Sequence, residues 1–141
     1  MGASSWSYRE KYRGDIASTL EALRSEVFEQ SPYRADGDTL EDVWGDEEFM
    51  GTIGTHSILD IYRLVAPETP RGCLCYHNNM RPLTEDELMA AFECPRPTLA
   101  TFREAEEAGR LPHDGRWNGC CVVIYKNGQP DEVAFWGISG D

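Results

Sequence analysis

The spacing of hydrophobic residues changes period along the chain, and each change marks an element. Over residues 5–12 Trp6 and Tyr8 alternate with polar neighbours, the two-residue period of a strand. From Asp15 the period lengthens. Ile16, Leu20, Leu23 and Val27 follow at intervals of four, three and four, the stripe of an amphipathic helix that Asp15 caps and Ser31-Pro32 stops after about Gln30. Thr39-x-x-Asp42 has the form of a capping box, with Asp where Glu or Gln is commoner, for a short helix turning Leu40, Val43 and Trp44 inward. Ser57–Val65 is apolar on both faces, the pattern of a central strand. Residues 66–72, with Pro67, Pro70 and Gly72, read as a loop, and Cys73–His77 as a further short strand.

The second half is better punctuated. Thr84-Glu85-Asp86-Glu87 is a capping box, and Leu83 and Leu88 occupy the two positions of a hydrophobic staple. This predicts a helix to about Phe92, broken by Pro95 and Pro97. Thr98 then caps another reaching Ala108, with Gly109 placed for the terminating left-handed turn. Cys120–Tyr125 and Glu132–Trp136 flank Lys126-Asn127-Gly128-Gln129, and Asn-Gly is the preferred pair for a type I′ hairpin. Pro130 restricts the start of the second strand or marks it as an edge. The expectation is a single α+β domain over residues 1–141: a mostly antiparallel sheet of about four to five strands, three to four helices packed largely on one face, and a C-terminal β-hairpin.

Composition narrows the function classes. The 141 residues carry a formal charge of -12 from 25 acidic and 13 basic side chains. Between Asp36 and Glu48 stand Asp36, Asp38, Glu41, Asp42, Asp46, Glu47 and Glu48, with no Lys or Arg among them. Such a field repels nucleic acid and anionic membrane surfaces and favours a basic partner. The apolar runs are too short for a membrane span. The five cysteines include the adjacent Cys120-Cys121, and the N-terminal residues lack the apolar run of a secretory leader. Free thiols in a reducing cytoplasm are therefore expected rather than a disulfide framework.

Three constellations carry chemistry of interest. Gly51-Thr52-Ile53-Gly54-Thr55-His56 is a glycine-punctuated loop leading into the expected strand. In an enzyme, His56 would serve as general acid or base with Cys121 or Ser57 as nucleophile, and Asp60 would be the third candidate catalytic residue. On a strand, however, His56 and Asp60 would stand roughly 13 Å apart, and a histidine bonded into its loop is the simpler assignment. Cys73-x-Cys75-x-His77 places three soft ligands on one face of an extended chain, with Cys94, Cys120 or Cys121 as a fourth for zinc. The spacing is not that of a common zinc module, and no metal or other cofactor is expected. His113-Asp114-Gly115-Arg116-Trp117-Asn118-Gly119 forms a loop in which Arg116 and Trp117 can stack on a ligand or partner. Phosphate loops, nucleophile elbows, zinc-protease helices and EF-hand loops are absent. The reading is therefore a small acidic cytoplasmic binding or regulatory protein, such as an immunity-type inhibitor of a basic protein. Its contact residues would be Asp42, Trp44, Asp46, Glu47, Glu48, Arg116 and Trp117. The alternatives are the small enzyme above or a small-molecule-binding protein.

Overall fold

The computed structural model describes residues 4–73 and 75–140. The alternation at Trp6 and Tyr8 becomes strand β1 (Ser5–Lys11), and the apolar stripe becomes helix α1 (Ile16–Glu29). Asp15 caps α1 by accepting the Ser18 N–H at 2.7 Å, and Leu20 and Leu23 face the core. Helix α3 (Leu40–Gly45) starts at the expected Thr39–Asp42 capping box. Two short helices complete this region: α2 (Pro32–Ala35), capped by Ser31, and α4 (Glu47–Thr52), capped by Asp46. Their few residues show no helical period, which is why the expected three to four helices become six among the described residues.

The expected strand over Ser57–Val65 is corrected. The Ser57 hydroxyl accepts the Leu59 N–H at 3.2 Å and turns the chain into a 3-10 helix at Ile58–Asp60. Only Arg63–Leu64 remains extended, as strand β2. Of the expected strand over Cys73–His77, Cys73 and residues 75–77 are not extended in the sheet, a Cys73–Cys75 disulfide stands where free thiols were expected, and Leu74 lies outside the described residues. Strand β3 (Asn79–Pro82) follows, where no strand was expected. Helix α5 (Glu85–Phe92) begins at the Thr84–Glu87 capping box, and α6 (Leu99–Glu107) at Thr98.

Strands β4 (Gly119–Lys126) and β5 (Gln129–Ile138) form the expected hairpin, with both turn residues at positive φ, Asn127 at 53° and Gly128 at 77°. The sheet order is β1-β5-β4-β3-β2. β1 and β4 pair antiparallel to β5, whereas β3 joins β4, and β2 joins β3, in parallel. The sheet is thus mixed: mostly antiparallel as expected, along β1, β5 and β4, but not purely so, because β3 and β2 join it in parallel. β5 lies inside it, and Pro130 is accommodated beside the irregularity at Ile124/Tyr125.

Helices cover both faces, not one. Cys121, Val133 and Phe135 pack with Leu20 and Leu23 of α1, while Cys120, Val122, Ile124, Ala134 and Trp136 pack with Phe92 of α5 and Phe102 and Ala105 of α6. The cause is in β4, whose successive residues from Gly119 to Val122 are all buried. A strand apolar on both sides needs cover on both. Among the described residues no helix is long and apolar enough to cross a membrane.

Candidate functional site

At the β2 end of the sheet, three aromatic side chains from distant parts of the sequence meet. Trp44 ends α3 and donates its indole N–H to the Leu59 carbonyl at 2.7 Å. Its ring lies 4.8 Å from that of Tyr62, tilted by 53°, and the Arg24 guanidinium sits 5.7 Å from its centroid. Arg24 is itself held by the carbonyls of Ile61 and Tyr62 at 3.1 and 3.2 Å. Trp117 arrives from the loop before β4 with φ at 71°, donating its N–H to Ile138 and accepting that of Asn78, both at 2.9 Å. Gly54 and Gly140 leave room for its indole: a Cβ on Gly54 would stand 2.5 Å from Trp117 Cζ3, and one on Gly140 would overlap the ring.

Trp44, Tyr62 and Trp117, with Glu47, Met50 and His77, line an open groove of about 530 Å³. A second groove of about 490 Å³ shares Trp44 and Tyr62 and runs on to Arg24, Arg34 and Asp38. All seven acidic residues between Asp36 and Glu48 are exposed. Asp42 and Asp46, expected as contacts, also have structural work. Asp42 accepts the Thr39 N–H at 2.8 Å, which holds its carboxyl below the usual range, and Asp46 accepts that of Phe49 at 3.0 Å. Of the expected contact residues the groove therefore unites Trp44, Glu47 and Trp117, while Glu48 and Arg116 are exposed outside its lining.

Asp60 lies behind this wall, 1% exposed. Its Oδ1 accepts the Thr55 N–H at 2.6 Å and the Thr55 hydroxyl at 2.8 Å, and would be 2.9 Å from a Gly54 Cβ. Its buried Oδ2 has no hydrogen-bond partner among the described residues. Burial pushes its pKa up, against the Thr55 hydrogen bonds and the charge of His56. A carboxyl raised in the folded state keeps its proton after the unfolded chain has lost it, so stability falls as pH rises from about 4 through the folded-state value. Asp60→Asn removes the ionisation. Its melting temperature relative to the wild type is expected to rise between about pH 3 and pH 7. A difference independent of pH, measured by calorimetry, would show that Asp60 has an ordinary pKa.

His56 is exposed, at φ 56°, with Nδ1 3.2 Å from the Ser4 hydroxyl. The third member of the enzyme constellation, Cys121, is 0% exposed in the core with Leu20 and Phe135, and burial raises its thiol well above the ordinary value. Nucleophilic attack needs an accessible thiolate, which this position does not supply. Cys73 and Cys75 have spent their sulfurs on each other, and among the described residues no group of three His, Cys, Asp or Glu is placed to hold a metal.

One element escaped sequence reasoning entirely. Arg81, wholly buried, donates from Nε and Nη2 to Asp114 at 2.7 and 2.9 Å and from Nη1 and Nη2 to Glu87 at 2.6 and 2.9 Å. Arg71 reaches Asp114 at 2.7 Å and the Tyr76 hydroxyl donates to it at 3.1 Å. Burial opposes the Arg81 charge, but the two carboxylates more than offset that and hold its pKa above the ordinary arginine value. The cluster pins the loop carrying Trp117 to β3 and α5. Nothing in Met80-Arg81-Pro82 signals it beyond an arginine beside apolar neighbours. Comparison with known proteins gives no match to a family model, a curated protein or a solved structure.

Proposed function

We propose that the protein is a small acidic binding or regulatory protein of the cytoplasm that captures a basic segment of a partner protein, in the manner of an immunity-type inhibitor. The observation that carries this reading is the groove, in which Trp44, Tyr62 and Trp117 surround a space edged by Glu47 and flanked by the base-free segment from Asp36 to Glu48. Arg24 and Arg63 already stand over the Trp44 and Tyr62 rings at 5.7 and 6.0 Å, so a partner's Lys or Arg meets the Trp117 ring, whose face attracts cations, and the Glu47 carboxylate in the same groove. Aromatic side chains supply the contact area that dominates interface energetics. The surrounding acids raise the association rate.

The charge is tested separately from the rings. A Glu47→Lys, Glu48→Lys variant keeps Asp46 as the α4 cap and reverses two exposed charges. Association with a Lys/Arg-rich peptide, followed by stopped-flow tryptophan fluorescence at low ionic strength, is expected to slow by about tenfold and to lose much of its salt dependence. The melting temperature should hardly move, because exposed charges contribute little to stability. An unaltered rate would remove the acidic helices from the binding surface.

A further inference from the structure

The five cysteines divide sharply in environment. Cys120 and Cys121 are buried, and burial pushes the Cys120 thiol up to about 12 and that of Cys121 higher. The thiolate is the form that exchanges, so both are inert near neutral pH. Cys94 is a half-buried free thiol. Cys73 and Cys75 are exposed and joined in a disulfide, with Cα atoms 5.2 Å apart and one residue between them.

That disulfide does little for the fold. A cross-link stabilises by removing freedom from the unfolded chain, and it removes more as the closed loop lengthens. Here the closed loop is as short as two cysteines and one residue allow. The segment around it has other attachments. Arg71 bonds Asp114 at 2.7 Å, the Tyr76 hydroxyl bonds the same carboxylate at 3.1 Å, and Asn118 Nδ2 donates to the Tyr76 carbonyl at 3.3 Å. The Tyr76 and His77 N–H groups donate to the carbonyls of Cys73 and Cys75 at 3.1 and 3.2 Å. None of these contacts uses a sulfur atom, so opening the sulfur–sulfur bond removes none of them directly. Exposed disulfides that hold little structure are the readily reduced ones, whereas structural disulfides resist the glutathione pool.

We propose that Cys73–Cys75 is a thiol–disulfide exchange site for low-molecular-weight thiols of the glutathione class. A thiolate attacks one sulfur of the pair, forming a mixed disulfide, and the other cysteine leaves as a thiolate that takes up a proton. A second thiolate attacks the mixed disulfide at the small thiol's sulfur and releases the second cysteine, which is protonated in turn. Two electrons pass to the protein, and two small thiols become one disulfide. Neither cysteine lines the aromatic groove, so this proposal and the binding reading stand or fall separately.

The test equilibrates the full chain in mixtures of reduced and oxidised glutathione, followed by acid quenching, alkylation and mass spectrometry. The reduced fraction of Cys73 and Cys75 should climb from near zero to near complete as the proportion of reduced glutathione rises, while Cys120 and Cys121 stay unmodified before denaturation. The reduced protein should keep its circular dichroism and melting temperature. A Cys73→Ser, Cys75→Ser variant should fold normally and lose the response. A pair that stays oxidised in excess reduced glutathione, one reduced in every mixture, or reduction that unfolds the domain would each overturn the proposal.

Discussion

Replacing Arg81 with methionine is expected to cost about 3–5 kcal/mol of stability. Arg81 is fully buried and bridges Glu87 of α5 to Asp114, whose side chain is also 0% exposed. Methionine fills much of the volume but leaves Asp114 without its buried guanidinium, held by Arg71 and Tyr76, and Glu87 with the Thr84 N–H at 2.9 Å and a weaker Arg71 contact at 3.6 Å. Removing one partner of a buried pair leaves charge in a medium that solvates it poorly. The effect reaches the groove, because Asp114 is three residues from Trp117 and the cluster fixes the loop they share. Urea denaturation followed by circular dichroism measures it. A loss below about 1 kcal/mol would mean that the loop is held by its backbone contacts alone.

Gly54→Ala is the second large effect, and it acts directly on the site. Gly54 has φ at +71°, a conformation that costs an L-residue about 1–2 kcal/mol. The new methyl would stand 2.5 Å from the Trp117 ring and 2.9 Å from Asp60 Oδ1, an overpacking of the kind that costs about 1–3 kcal/mol. The expected loss is therefore about 2–5 kcal/mol, with Trp117 displaced and its fluorescence altered. Gly51 three residues earlier is the control. It lies within α4 with nothing within 4 Å of an added Cβ, so Gly51→Ala should be neutral or stabilising by up to about 1 kcal/mol. Equal effects of the two substitutions on thermal melts would remove the special role given to Gly54.

Local physics made much of the fold legible, and long-range pairing hid the rest. The capping boxes at Thr39 and Thr84, the Asp15 cap and the Asn127-Gly128 turn each act within a few residues, and each stands where its chemistry put it. β3 is four residues long, and its strand character comes from pairing with β4, some forty positions away. Ser57–Val65 misled because a buried run reads as a strand whether its backbone bonds a neighbouring strand or, as here, turns through Ile58–Asp60. Both-sided burial was sought there, but it belongs to β4, which therefore takes helices on each face.

The site was legible only in pieces. Trp44 and Trp117 were recognisable as candidates one at a time, from an acidic neighbourhood and an arginine-bearing loop. Their meeting depends on Gly54 and Gly140 leaving space for an indole, which no spacing along the chain announces. Tyr62 gave no signal at all, since it lay inside the expected strand.

The binding reading is tested most directly by the indole N–H resonances of the four tryptophans during titration of the ¹⁵N-labelled protein with a Lys/Arg-rich peptide. Trp44 and Trp117 line the groove, whereas Trp6 and Trp136 are 8% and 3% exposed in the two cores. Saturable shifts are expected at Trp44 and Trp117, with the backbone amides of Glu47 and Tyr62 moving alongside and the other two indoles unchanged. Saturable binding that leaves Trp44 and Trp117 unmoved, or no binding at all, would contradict the binding reading.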